Sequence, residues 1–180
     1  MKHFFKPRTL TRKMSDYAPY VGDAYLKAIQ NDALELSGTA IVHVNTAASS
    51  GGVAEMLKTQ IPLERSLGLR SEWLVMRGTE TFFEITKKMH NLLQGKRDSI
   101  SEAEMGQYLL QSHRVSDEFV QFLNSFGRTI VVLHDPQPLP LVNYLPEHVP
   151  AILRFHPDLS TPDKAVLDFL KPLVMRTERV

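Results

Sequence analysis

Four short runs of β-branched and aliphatic residues punctuate the chain, at residues 39–44, 72–76, 129–133 and 151–155. Within each run the apolar residues are mostly continuous, which is typical of parallel strands that are buried on both faces. Longer stretches with helical periodicity separate the runs. This alternation predicts an α/β fold, a Rossmann-like parallel sheet with helices on both faces. Right-handed crossovers would bring the carboxyl ends of all strands to one edge of that sheet.

Two helices are predicted between the first three strands, one after the first strand and one after the second. The first covers residues 52–67, because apolar residues recur every fourth position from Val53 and Gly68 supplies a stop. Pro62 is expected to kink or split this helix. The second covers residues 80–93.

A capping-box pattern marks the start of a further helix. Ser101 and Glu104 have the required spacing, and the segment continues to Phe126 with a break expected near Ser112. It follows the helix at 80–93 without an intervening strand, so this region is interpreted as an insertion with a role of its own. A last helix is predicted over residues 162–174.

Composition narrows the protein class. The 180 residues are 43% hydrophobic and 23% charged, with a formal net charge of +1, which indicates one globular domain without the basic excess of a nucleic-acid-binding protein. The chain has no cysteine, which favours a cytoplasmic location. No apolar run approaches the roughly 20 residues of a membrane span, so no membrane partner is expected. Because the net charge is close to zero, no nucleic-acid partner is expected either.

The two ends of the chain are interpreted separately from its middle. Residues 1–16 are basic but lack the apolar stretch of a signal peptide, and they are expected to be a lead-in to a domain at 17–180. Arg179 and Val180 follow the last predicted helix and would begin another strand. We therefore expect the domain to be truncated before a second one.

The loop after the first strand, residues 45–55, is rich in small residues. Gly51 and Gly52 would let the backbone approach a ligand, and the following helix amino terminus offers free N–H groups to a phosphate or sugar oxygen. The loop lacks both the Walker pattern and the G-x-G-x-x-G spacing. A flexible turn that caps the helix is the alternative.

The loop after the third strand, residues 134–138, reads His-Asp-Pro-Gln-Pro. Its two prolines stiffen the turn, while Asp135 and Gln137 offer the acceptors and donors that sugar hydroxyls need. A solvated turn with an Asx-type hydrogen bond is the alternative.

Residues 154–160 follow the fourth strand. His156 could donate to a sugar hydroxyl or to a developing oxyanion, and Asp158 could orient it or cap the next turn. His134 and Asp135 with His156 and Asp158 could also form a metal site, as in a hydrolase.

Three neutral polar residues, His90, Asn91 and Gln94, share one helix face in the insertion and resemble a carbohydrate-binding surface, or else a solvated helix end. His43 lies mid-strand and is expected to be a hydrogen-bonded core residue. Trp73 is expected to pack inside the protein.

Taken together, these segments resemble the trehalose glycosyltransferring synthases. The motifs that carry the resemblance are H-V-N-T at 43–46, S-G-G-V-A-E at 50–55, F-F-x-x-T-K at 82–87, H-N-x-L-Q-G at 90–95, H-D-P-Q-P at 134–138 and R-F-H-P-D-L-S at 154–160. The similarity runs from about Tyr17 to the end of the chain. Ser50 stands where the family has the first of three glycines.

The resemblance implies the amino-terminal, acceptor-side domain of a retaining GT-B glycosyltransferase. Such an enzyme joins glucose from nucleoside diphosphate glucose to free glucose, giving trehalose, and needs no metal or other cofactor. His156 and Asp135 would be its transition-state and positioning residues. The substrate-binding residues implied are Gly51, Gly52, Glu55, His90, Asn91, Gln94, Gln137, Arg154 and Asp158. Without a nucleotide-sugar-binding domain, the chain alone is expected to be inactive.

Three alternatives stay open. A retaining trehalose phosphorylase would use inorganic phosphate in place of the nucleotide. The second is a non-catalytic sugar- or phosphate-binding module, or a partner subunit that completes its sheet by association, for example as a homodimer. The metal hydrolase is the third.

Overall fold

A computed structural model describes residues 1–178, and a five-stranded mixed sheet forms its centre. The four predicted strands are confirmed and run parallel in the order β3-β2-β4-β5, while a short β1 pairs antiparallel with the outer edge of β3. The strands are β1 Phe4–Phe5, β2 Thr39–Asn45, β3 Arg70–Met76, β4 Arg128–His134 and β5 Ala151–Arg154. The further strand expected at Arg179 and Val180 lies outside the described residues.

Six α-helices and two 3₁₀ segments are assigned within the described part of the chain. The helices are α1 Ala18–Val21, α2 Asp23–Glu35, α3 Gly52–Ser66, α4 Glu80–Leu93, α5 Glu102–Leu123 and α6 Lys164–Val174, and the 3₁₀ segments are Met14–Tyr17 and Leu139–Tyr144. Helices α3 to α6 match the four predictions, and the capping box of Ser101 and Glu104 opens α5. No helix in residues 1–178 has the length and apolarity needed to cross a bilayer.

Neither α3 nor α5 is split at the residue where an interruption is expected. Helix α3 continues through Pro62, because Leu57 and Ile61 of the same helix are fully buried against the sheet and hold it there. Helix α5 is unbroken at Ser112, whose small side chain is itself completely buried. In both places tertiary packing outweighs the local preference, which at Pro62 opposes the helix by about 3 kcal/mol.

Alternation along β3 shows how the helices divide between the two sheet faces. Trp73 and Val75 pack with the apolar residues of α3, whereas Leu74 and Met76 belong to the larger core formed with α4, α5 and α6. Successive side chains of a strand point to opposite faces, so the predicted helices on both faces are confirmed. By the same alternation, polar residues at odd-numbered positions of β2 lie on the α3 side of the sheet. In β4, the even-numbered positions lie on that side.

The start of the chain takes part in the sheet, which its sequence did not predict. Phe4 is 1% exposed and its ring stacks on Phe119 of α5 with centroids 5.6 Å apart. The Glu118 carboxylate accepts hydrogen bonds from the backbone N–H groups of Lys2, His3 and Phe4 at 2.8–3.1 Å. A two-residue strand is too short for any periodic pattern to reveal it.

We expect Glu118→Gln to lower the free energy of unfolding by about 1 kcal/mol at neutral pH, since a neutral amide oxygen is the weaker acceptor. Burial raises the pKa of Glu118, but the backbone hydrogen bonds outweigh it and hold the pKa below its usual range. A carboxylate whose pKa is lower in the folded state stabilises the protein at pH values above its pKa in the unfolded state. This stabilisation is lost as the pH falls through its pKa in the folded state. The difference between wild type and variant should therefore shrink in acid.

Denaturant unfolding at neutral and acid pH measures this difference. Asp117→Asn is the matched control, because it removes one negative charge from the neighbouring exposed position of α5. A Glu118→Gln effect that matched the control, or that persisted undiminished in acid, would contradict the anchoring role.

Candidate functional site

A cavity of about 230 Å³ lies at the carboxyl edge of the parallel strands. It is formed by the loop after β2, the first turn of α3, the end of α4 and the loop after β4. Its lining residues are Asn45, Thr46, Ala47, Ser50, Gly51, Gly52, Val53, His90, His134, Asp135 and Gln137. Ligands of open α/β sheets bind at this edge, which makes the cavity the candidate functional site.

Asn45, the last residue of β2, holds the loop that follows this strand in place. Its amide nitrogen donates to the carbonyl of Ala47 at 2.7 Å, and its side-chain oxygen accepts from the indole N–H of buried Trp73 at 2.9 Å. Gly51, with φ of 86°, then turns the chain into α3. This left-handed conformation suits glycine, and the turn leaves the amino end of α3 open to the cavity.

The loop after β4 is rigid for reasons beyond its prolines. Asp135 has a φ of 66°, and its backbone N–H donates to the carbonyl of Arg154 at 3.0 Å. Its carboxylate accepts from the backbone N–H of His156 at 2.8 Å. Beneath the loop, the buried hydroxyl of Tyr108 donates to the carbonyl of Pro136 at 2.6 Å. The loops after β4 and β5 are thus joined at the point where Asp135 faces the cavity.

Three imidazole rings lead from the cavity into the protein on the α3 side of the sheet. His156 Nε2 lies 3.1 Å from His134 Nδ1, and His134 Nε2 lies 3.0 Å from His43 Nδ1. The remaining nitrogen of His43, Nε2, lies 3.1 Å from a carboxylate oxygen of Glu64 on α3. His43 and His134 are buried, whereas His156 is exposed. The prediction that His43 is a hydrogen-bonded core residue is confirmed.

Burial sets the charge of these groups. It lowers the pKa of His134 to about 2, with further contributions from the neighbouring rings and Arg154, so that His134 is neutral in ordinary buffers. Burial also lowers the pKa of His156 and raises that of Asp135. For Glu64, burial raises the pKa, but His43 and then two neutral donors outweigh it and lower the pKa overall. Glu64 is therefore the carboxylate that faces the row of rings.

The structure brings together part of the predicted site. Gly51, Gly52, His90, Asp135 and Gln137 all line the cavity, and His156 adjoins it through its bonds to His134 and Asp135. The three loops expected to meet on one edge of the sheet therefore do meet there.

Five other predicted residues do not line the cavity. Glu55 is exposed and pairs with Lys58 at 2.6 Å, and the Asn91 side chain accepts from Lys96 at 3.1 Å. Arg154 reaches across to Gln60 of α3 at 3.1 Å, while the remaining two residues, Gln94 and Asp158, are exposed. Helix α4 ends at Leu93, before Gln94. Of the three residues expected to share one polar helix face, only His90 lines the cavity.

The metal-binding arrangement considered for this edge is not formed. Both ring nitrogens of His134 are already occupied by other rings, and the Asp158 carboxylate accepts from the backbone and hydroxyl of Ser160. Across residues 1–178, no three His, Cys, Asp or Glu side chains are arranged so that together they could hold a metal ion.

Sequence patterns did not identify Glu64 or Tyr108, which support the site from outside it. The one available signal was alternation, because His43 and His134 occupy positions of paired strands that face the same side of the sheet. Glu64 lies on the helix that covers that side. Nothing local to residue 64 or 108 marks either as special.

Comparisons with known proteins agree with the motifs. Residues 43–180 match a family described as the N-terminal domain of trehalose synthase. The chain is 38% identical over 168 residues to a trehalose synthase of Pyrococcus horikoshii, covering 93% of this chain and 40% of that protein. It is 34% identical over 166 residues to a trehalose synthase of Rubrobacter xylanophilus, covering 91% and 39%.

The chain thus spans about 40% of the length of these curated relatives. Among solved structures it is similar to α,α-trehalose 6-phosphate synthase from Burkholderia multivorans, with 15% identity and a TM-score of 0.47 over 78% of this chain and 37% of the other.

Proposed function

The chain belongs to the family of trehalose synthase N-terminal domains, and from this premise we propose that it is the acceptor-side domain of a retaining glycosyltransferase. In this proposal the complete enzyme has a GT-B architecture. It transfers glucose from nucleoside diphosphate glucose to free glucose with retention of the α configuration. We include a cytoplasmic location, since a chain without cysteine is compatible with a reducing compartment.

The observation that carries the proposal is the set of polar groups around one cavity. Asp135 offers an acceptor, Gln137 offers both a donor and an acceptor, and His90 offers one of each when neutral. Each sugar hydroxyl can donate one hydrogen bond and accept others, so a mixed lining of this kind suits a hexose better than it suits an anion alone.

The size of the cavity favours a single sugar ring. Pockets for drug-sized ligands are roughly 300–1,000 Å³, and this one is about 230 Å³. We therefore assign it to one glucose unit. The open amino end of α3 beside Gly51 and Gly52 would face a phosphate of the donor, and Asp135 with His156 would position the reacting hydroxyls.

The test is binding of glucose to the isolated chain, followed by backbone amide shifts in NMR spectra. Glucose is expected to shift the amides of Gly51, Gly52 and Gln137, and Asp135→Asn is expected to weaken binding about tenfold. The reason is that a hydrogen bond to a carboxylate contributes about 1.5–3 kcal/mol, more than one to an amide. Asn tolerates a positive φ, so the loop conformation should be kept.

Asp158→Asn is the matched control, because it removes one carboxylate from an exposed position outside the cavity lining. Equal losses in the two variants, or amide shifts confined to another part of the chain, would count against the assignment. The same preparation, incubated with nucleoside diphosphate glucose and glucose, is expected to form no trehalose. Trehalose formation would show that the acceptor-side domain suffices for transfer.

A further inference from the structure

The row of rings that begins at His156 ends at the Glu64 carboxylate. This carboxylate fixes which atom donates and which accepts in each hydrogen bond of the row. The Glu64 carboxylate can only accept at the 3.1 Å contact, so His43 must carry a proton on Nε2. If all three rings are neutral, His43 Nδ1 then accepts from His134 Nε2–H, and His134 Nδ1 accepts from His156 Nε2–H. His156 is left with an unprotonated Nδ1, which is an acceptor.

One added proton reverses both hydrogen bonds between the rings and leaves the bond from His43 to Glu64 unchanged. When Nδ1 of His156 takes up a proton, its Nε2 proton passes to Nδ1 of His134. The Nε2 proton of His134 then passes to Nδ1 of His43. The result is an imidazolium at His43 paired with the Glu64 carboxylate, while His134 and His156 stay neutral and His156 now presents Nδ1–H as a donor. No contact along the row has to lengthen, since each pair of atoms still shares one proton.

The groups around Glu64 favour a positive charge on His43, at the inner end of the row. The Glu64 carboxylate is kept in place by the hydroxyl of Ser71 at 2.6 Å and the amide of Gln60 at 2.7 Å. Arg65 of the same helix donates to the carbonyl of Ser71 rather than to Glu64. No other side chain carboxylate contacts a ring nitrogen of the row within residues 1–178.

The outer end has competing charges. The carboxylate of Asp135 lies next to the backbone of His156 and favours a charge there, and His90 across the cavity also faces Asp135. Arg154 carries a positive charge close to both His134 and His156 and disfavours protonation of either ring. The balance between Asp135 and Arg154 decides whether His156 holds a proton itself or passes it inward.

We propose that Glu64, His43 and His134 form a proton relay that switches His156 between hydrogen-bond acceptor and donor while the charge is held at the buried His43–Glu64 pair. These three are positioning residues for His156. The relay is inferred from the hydrogen-bond geometry, whereas its use on a sugar hydroxyl rests on the proposed function. There His156 would accept the proton of the attacking glucose hydroxyl as the new glycosidic bond forms and the bond to the leaving diphosphate breaks. Exposed His156 would afterwards release that proton to solvent, and no charged ring would stand beside the substrate in between.

The test is a pH titration of the chain labelled with ¹⁵N-histidine, since ¹⁵N shifts report the protonation of each ring nitrogen separately. At high pH all three rings should carry their proton on Nε2. As the pH is lowered, His43 should become an imidazolium in the same step in which His156 and His134 move their proton from Nε2 to Nδ1. An imidazolium at His156, with the other two rings unchanged, would overturn the proposal.

Glu64→Gln provides the second arm, because the amide keeps the shape of the side chain but cannot hold the paired charge. In this variant the coupled step should disappear and His156 should titrate alone. Glu72→Gln is the matched control, since Glu72 is the acidic residue of β3 and pairs with Lys6 at 2.8 Å rather than with a ring of the row. A coupled step that survives Glu64→Gln, or that is lost equally in Glu72→Gln, would exclude Glu64 as the end of the relay.

These outcomes are separate from those of the sugar-binding test. A failed relay leaves glucose binding at the cavity untouched, because the titration uses no ligand. A chain that does not bind glucose would still show the coupled proton shift if the relay exists.

Discussion

Replacing Trp73 with alanine is expected to lower the free energy of unfolding by about 3–5 kcal/mol. Trp73 lies in β3, and its side chain is 1% exposed and packs against the apolar face of α3. Its loss would leave a cavity in that layer and remove the partner of Asn45, whose amide holds the loop of the candidate site. Denaturant unfolding monitored by circular dichroism measures the effect.

Trp73→Phe separates packing from hydrogen bonding. It keeps an aromatic ring but leaves the buried Asn45 oxygen without its donor, which costs about 1–3 kcal/mol. Leu34→Ala is the control, because Leu34 is 70% exposed and surface substitutions usually stay within about 0.5 kcal/mol. If Trp73→Ala cost no more than Leu34→Ala, the α3 layer would not be the packed core described above.

Replacing Gly95 with alanine is expected to cost about 2–5 kcal/mol of unfolding free energy. Gly95 has a φ of 80°, which disfavours any side chain by about 1–2 kcal/mol. A Cβ atom there would also lie 2.8 Å from the carbonyl oxygen of Thr161 and against its hydroxyl. Relieving such overpacking typically adds about 1–3 kcal/mol.

Gly68→Ala is a closely matched comparison. Its φ is 84°, but no atom lies within 4 Å of the position that its Cβ would take, so it should show the backbone cost alone. The difference between the two variants measures the close approach between the end of α4 and the segment that leads into α6. Equal effects would mean that the contact with Thr161 relaxes without cost.

Much of the fold could be predicted because it depends on local patterns. The continuous apolar runs identify β2 to β5, since strands buried on both faces have no polar side to show. The capping box of Ser101 and Glu104 marks the start of α5 within one residue. The loop chemistry at Gly51 and Asp135 also follows from position, because residues after parallel strands collect at one edge of the sheet.

Other features depend on packing between distant parts of the chain. The strand at Phe4–Phe5 exists because Phe4 enters the core and Glu118 binds the backbone before it. Helix α3 continues through Pro62 because its buried face holds it on the sheet. In each case the deciding energy comes from residues far away in sequence.

The amino-acid sequence by itself determined that β2 to β5 and α3 to α6 form and which loops carry polar groups, because those choices depend on neighbouring residues. Only the tertiary structure decided that Glu64, His43, His134 and His156 form one row, with separations of 21, 91 and 22 residues along the chain. Such contacts require the register of β2 against β4 and the face that α3 turns toward them. Both are set by packing of the whole domain, since a shift of one residue in a strand moves every side chain to the opposite face.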